Sequence, residues 1–92
     1  MQALAEIQVI PLGVGTSVRR QVKRAQAIIE ASGLVFELHA YGTNVEGELD
    51  AIFATIERIH ETLHAEGTPR IATALKIGTR TDKLPTLKGK RL

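Results

Sequence analysis

At 92 residues, with 43% hydrophobic and 24% charged side chains, the chain has the size and composition of one small globular domain, and no second domain is expected. The absence of cysteine excludes a disulfide framework, a thiolate metal site and a cysteine nucleophile, and with only Phe36, Tyr41 and Phe53 as aromatic residues the core must be aliphatic. A formal charge of +2 conceals an acidic body and a basic end: residues 1–75 carry six Lys/Arg against nine Asp/Glu, whereas residues 76–92 carry six against one.

The basic end (Lys76, Arg80, Lys83, Lys88, Lys90, Arg91) has no interleaved aromatic to stack on bases, so nucleic acid is not an expected partner. The opening Met-Gln-Ala-Leu-Ala-Glu lacks the basic and long apolar regions of a signal peptide, and no apolar run is long enough to cross a bilayer. A cytoplasmic location without a membrane partner is the expectation.

Along the chain, Ala3 to Pro11 alternates, with Ala5, Ile7 and Val9 on one side and Leu4, Glu6, Gln8 and Ile10 on the other, the period of a strand. Leu12 to Thr16 is a flexible connection, and Ser17 or Thr16 is the expected N-cap of a helix whose Val18, Val22, Ala25 and Ile29 share one face and which ends at Gly33. Leu34 to Tyr41 alternates again, placing Leu34, Phe36, Leu38 and Ala40 opposite Val35, Glu37, His39 and Tyr41. Thr43 to Gly47 reads as a short third strand. Glu48 to Glu66 is the clearest helix, with Leu49, Ile52, Phe53, Ile56, Ile59 and Leu63 at helical spacing and a stop at Gly67 and Pro69. Arg70 to Gly78 is the fourth strand, with Ile71, Thr73, Leu75 and Ile77 opposite Ala72, Ala74 and Lys76.

The order β-α-β, β-α-β predicts an α+β, ferredoxin-like βαββαβ fold: an antiparallel sheet with both helices on one face. The domain is expected over residues 1–78, with a basic C-terminal tail over 79–92 that packs in an oligomer. The helix-free face should expose Val35, His39, Tyr41, Ala72 and Ala74, a half-apolar surface that favours a partner.

The stretch from Tyr41 to Asp50 concentrates the polar chemistry. Gly42 and Gly47 bracket hydroxyl, amide and carboxylate side chains, and Glu46, Glu48 and Asp50 follow within five positions, which suits either a ligand site or a hairpin leading into a helix with an acidic first turn. His60-Glu61-Thr62-Leu63-His64 matches the H-E-x-x-H zinc pattern, but no histidine follows to complete a catalytic set and His39 falls on a distant strand face, so no metal site is expected. Gly13-Val14-Gly15-Thr16-Ser17 before a helix is a weak phosphate-cradle signal, with neither a third glycine nor a Gly-Lys-Ser/Thr ending. No spacing of serine, histidine and acid argues a triad, and no catalytic residue is assigned.

Taken jointly, several segments resemble one family, the small stand-alone thiamine-binding proteins, across nearly the whole chain. They are Ile10-Pro11-Leu12-Gly13 with Gly15-Thr16-Ser17-Val18, Glu30-Ala31-Ser32-Gly33-Leu34, Gly42-Thr43-Asn44-Val45-Glu46-Gly47-Glu48, and Pro69-Arg70-Ile71-Ala72-Thr73 with Lys76-Ile77. The resemblance implies a ferredoxin-like fold, dimers or tetramers built through sheet faces, and non-catalytic binding of thiamine or its hydroxymethylpyrimidine moiety, with thiamine a ligand and no cofactor. The residues expected to bind are Tyr41, Gly42, Thr43, Asn44 and Glu46, with Ser17 as a neighbour: Tyr41 stacks on the ring, while Thr43, Asn44 and Glu46 pair with its donors and acceptors. Two other classes compete, a dimeric ferredoxin-like enzyme and an assembly or regulatory module without a small ligand.

Overall fold

The computed structural model describes residues 1–90, so Arg91 and the end of the 79–92 tail lie outside the described residues. The elements run β1 (Gln2–Leu12), α1 (Arg19–Ala31), β2 (Val35–His39), β3 (Gly42–Glu48), α2 (Leu49–Ala65) and β4 (Arg70–Gly78), followed by a 3-10 turn at Lys88–Lys90. Strand order is β2-β3-β1-β4 with every neighbouring pair antiparallel, which is the expected ferredoxin-like βαββαβ fold.

Alternation decides which side of the sheet is buried. Ala3, Ala5 and Ile7 of β1 lie across from Gly47, Val45 and Thr43 of β3, and directly opposite residues share a face. Ala3, Ala5, Ile7 and Val45 form one cluster with Ala25, Ile28 and Ile29 of α1 and Ile52, Ile59 and Leu63 of α2, so both helices cover the same face. Removing an isoleucine such as Ile52 or Ile59 from water contributes about 1.5–3 kcal/mol, and both are fully buried. α2 ends in a Schellman arrangement: the Thr68 N–H donates to the Leu63 carbonyl and the Gly67 N–H to that of His64, with Gly67 at φ +103°, a backbone conformation that glycine adopts without strain.

Local details differ from the sequence expectations. α1 begins at Arg19 with Val18 in the cap position and no side-chain cap; earlier in the same loop, Gly13 approaches Pro69 so closely that a Cβ would lie 2.8 Å from the ring Cγ. Phe53, counted on the inward stripe of α2, is half exposed, and buried Thr55 takes an inward place by donating its hydroxyl to the Ala51 carbonyl. β2 stops at His39, so Tyr41 lies in the turn before β3 rather than on a strand, and it is 78% exposed.

The helix-free face carries Leu4, Glu6, Gln8 and Ile10 of β1, Asn44 and Glu46 of β3, Val35 and His39 of β2, and Ala72, Ala74 and Lys76 of β4. The segment after β4 returns to this side of its own chain. Leu87 is buried, its N–H donating to Glu46 Oε1 at 2.7 Å, and with Leu4, Glu6, Asn44 and Lys76 it lines a shallow hollow.

Candidate binding site

Unequal strand lengths create the more enclosed of the two larger concavities among the described residues. The β1–β4 ladder runs to Leu12↔Arg70, but the β1–β3 ladder stops at Ile7↔Thr43, where the β2–β3 turn begins. Beyond that point the β3-facing edge of β1 has no strand beside it, and the first half of α1 spans the gap. The result is a cavity of about 290 Å³, at the low end of the volumes that take small organic ligands. Ile7, Val9 and Pro11 form its floor, Val18, Val22, Ala25, Gln26 and Ile29 its helical wall, and Leu38 to Thr43 its rim.

Main-chain groups also face this space. A Cβ on Gly42 would fall 2.5 Å from the Ile7 carbonyl oxygen, which places that carbonyl on the β3 side of β1. Successive residues of a strand direct their hydrogen-bonding groups to alternate sides, so Val9 presents its N–H and C=O to the same side, past the last β3 pair. The close approach that Gly42 permits is therefore strand to strand. Gly47 serves packing in the same way, since its Cβ would lie 2.4 Å from Leu34 Cδ2.

Two polar side chains meet inside. Thr43 is buried on the helix side, and its hydroxyl donates to Gln26 Oε1 at 2.9 Å. Gln26 Nε2 is buried without a hydrogen-bond partner. At the rim, the Tyr41 N–H donates to His39 Nδ1 at 3.3 Å, while His39 Nε2 lies 3.1 Å from Asn44 Oδ1 and 3.3 Å from Glu6 Oε2. That pattern assigns the Nε2–H tautomer and ties the turn to the sheet. No carboxylate is among the lining residues.

The six residues expected to bind a ligand divide between the two sides of the sheet. Tyr41, Gly42 and Thr43 line the cavity. Ser17 does not, although Val18 beside it does. Asn44 and Glu46, one and three positions beyond Thr43, belong to the opposite face by alternation. There Asn44 contacts His39 and Glu46 holds the Leu87 amide. Gln26 was not anticipated, yet its signal was present: it is a polar residue between Val22 and Ile29 on the apolar side of α1.

The histidine pair on α2 is engaged in packing. His60 Nε2 is 2.7 Å from Thr73 Oγ1, and His64 Nδ1 donates to the Thr68 carbonyl at 2.8 Å. The two rings meet edge to face with centroids 6.2 Å apart. Among the described residues, no group of three or more His, Cys, Asp or Glu is placed to hold a metal ion. Among them also, no helix is long and apolar enough to cross a membrane.

Fold and cavity together define a small ferredoxin-like domain with a compact, mostly apolar pocket between its first helix and its β2–β3 turn. The chain belongs to the family described as thiamine-binding protein, whose sequence profile matches residues 5–91. The UPF0045 protein sll0230 of Synechocystis is 44% identical over 87 residues, spanning 95% of this chain and 72% of that protein. The crystal structure of the hypothetical protein MJ1052 from Methanocaldococcus jannaschii superposes with a TM-score of 0.89 at 37% identity, covering 97% of this chain and 91% of that one. A Thermotoga maritima protein assigned provisionally to thiamine biosynthesis or salvage superposes with a TM-score of 0.86, covering 98% and 95% of the two chains, and at 22% identity this likeness shows the fold.

Proposed function

We propose that this protein binds hydroxymethylpyrimidine, free or as the pyrimidine half of thiamine, in the cavity between α1 and the β2–β3 turn, and that it does so without catalysis. The observation that carries this reading is the combination of apolar walls with the Thr43–Gln26 pair and the Val9 edge of β1, beyond the last β3 pair, in a family described by thiamine binding. An aminopyrimidine is flat, apolar on its faces and edged with alternating donors and acceptors. Ile7, Val22 and Ile29 suit the faces, and the polar groups suit the edge. A thiazolium cation has no carboxylate to meet inside, so in whole thiamine it belongs toward exposed Tyr41, whose ring face attracts cations.

The non-catalytic reading rests on the lining. General acid–base chemistry needs a positioned group free to exchange protons with the substrate, and His39 has both ring nitrogens hydrogen-bonded within the protein. We further propose a homo-oligomer, dimer or tetramer, assembled through the helix-free sheet face, where Val35 is 54% exposed and Ala72 and Ala74 are also exposed.

Calorimetric titration tests the binding claim. Wild type is expected to show saturable heat with hydroxymethylpyrimidine and thiamine, and neither compound to be altered on prolonged incubation. No heat at millimolar ligand overturns the ligand assignment, and turnover overturns the non-catalytic one.

A further inference from the structure

The first helix brings one polar side chain, Gln26, onto an otherwise apolar wall of the cavity. One end of its amide is occupied, because Oε1 accepts the hydroxyl of buried Thr43 at 2.9 Å. The other end is not: Nε2 is shielded from solvent and has no partner. Rotating the amide by half a turn leaves the problem in place, since Nε2 would then donate to the Thr43 hydroxyl and Oε1 would be orphaned instead. A buried amide head without a partner is costly, and such groups are rare in folded proteins. Only one end of the Gln26 amide serves the fold, as the acceptor for buried Thr43. Val22, Ala25 and Ile29 show what this helix face otherwise carries.

We propose that Gln26 is the specificity residue of the cavity: Thr43 fixes its amide, and the free Nε2–H donates to an acceptor nitrogen on the edge of a bound heteroaromatic ring. This inference rests on the pyrimidine reading of the cavity and adds the group that distinguishes a nitrogen heterocycle from a ring of the same shape. Apolar walls alone discriminate weakly between isosteric rings, whereas a buried donor left unpaired by the wrong ring rejects it. Because Nε2 has no exposed surface in the ligand-free cavity, it reaches a ligand by a turn of the outer side-chain torsions, with Thr43 holding the other end of the amide.

The test compares wild type with Gln26→Leu, which keeps the size and removes both amide heads, and with Gln26→Glu, which replaces the donor by an acceptor. Hydroxymethylpyrimidine and pyridine analogues with one ring nitrogen replaced by C–H are the probes, and calorimetry supplies each Kd. Wild type is expected to bind one of the analogues roughly three- to tenfold more weakly than the pyrimidine, and Gln26→Leu to lose about the same factor for the pyrimidine while no longer distinguishing the two. Gln26→Leu removes an unsatisfied group but also orphans the buried Thr43 hydroxyl, so the Tm control is the ligand-free double variant Gln26→Leu with Thr43→Val, which should show no loss of Tm. Gln26→Glu should bind the pyrimidine more weakly than wild type.

Equal discrimination by wild type and Gln26→Leu overturns the proposal while leaving the pyrimidine reading intact. A large drop in Tm for the double variant, with discrimination retained by Gln26→Leu, assigns Gln26 to structure alone and also overturns it. Absence of wild-type binding to any probe overturns both the proposal and the pyrimidine reading on which it rests.

Discussion

Gly42 sits where β3 leaves the hairpin turn and meets β1, and alanine there is the sharpest single perturbation of the site's frame. An added Cβ would lie 2.5 Å from the Ile7 carbonyl oxygen, 3.2 Å from its carbon and 3.5 Å from Gln8 Cα, all of them backbone atoms. Ordinary contact needs about 1 Å more from that oxygen. Ile7 cannot retreat easily, because β1 is central and is paired with β4 at Leu75 as well as with β3 at Thr43. Overpacking of this kind costs about 1–3 kcal/mol. In a domain this size each kcal/mol moves Tm by about 4–8 °C, so Gly42→Ala should melt roughly 5–20 °C below wild type. Gly47→Ala is the comparison: its new Cβ meets the end of the Leu34 side chain and no backbone, and although Leu34 is a core residue its tip can adjust more than the β1 main chain, so the loss should be smaller. Both melts are followed by circular dichroism at one protein concentration, since assembly raises apparent stability. If Gly42→Ala melts within about 2 °C of wild type, or lower by no more than Gly47→Ala, the strand-to-strand account of Gly42 fails.

Other outcomes follow from the same geometry. Glu46→Ala removes the acceptor for the Leu87 amide, so it should lower stability by about 1–2 kcal/mol and increase proteolysis after Gly78, yet leave hydroxymethylpyrimidine affinity within about twofold. A tenfold loss of affinity would place Glu46 in the site after all. Elemental analysis after dialysis should find far less than one zinc per chain, because His60 and His64 are hydrogen-bonded to Thr73 and Thr68; a stoichiometric zinc contradicts this. Light scattering at micromolar concentration should report an oligomer, and Val35→Glu with Ala74→Glu should dissociate it; a wild-type monomer contradicts the sheet-face assembly.

The architecture was legible because burial on one face imposes a strict period. β4 alternates Ile71, Thr73, Leu75 and Ile77 against Ala72, Ala74 and Lys76, and its limits, Arg70 and Gly78, are those expected from that pattern. Gly67 likewise marks the end of α2, since the Schellman turn there requires positive φ. The start of α1 was not legible: serine and threonine precede it, yet Val18 takes the cap position, and the loop before it also meets Pro69, a residue distant in sequence, through Gly13. Thr55 misleads for a related reason, because a hydroxyl bonded within its own helix packs inward as readily as an aliphatic group.

The cavity proposed as the binding site was half legible. Gly42 and Thr43 announce themselves by composition, but the cavity exists because the β1–β3 register ends at Ile7↔Thr43, and no local pattern encodes that register. Reading Thr43, Asn44 and Glu46 as one cluster overlooked the strand period, which sends Thr43 to one face and the other two to the opposite one. Gln26 joins the cavity lining only once the fold brings α1 over Thr43.

The binding account is tested most directly by a crystal structure of the protein grown with hydroxymethylpyrimidine. The account predicts ring-shaped density between α1 and the β2–β3 turn, one edge within hydrogen-bonding distance of Gln26 and the main chain of Val9 and its faces against Ile7, Val22 and Ile29. Density on the opposite side of the sheet, beside Asn44, Glu6 and Lys76, with the α1 cavity empty, would contradict it.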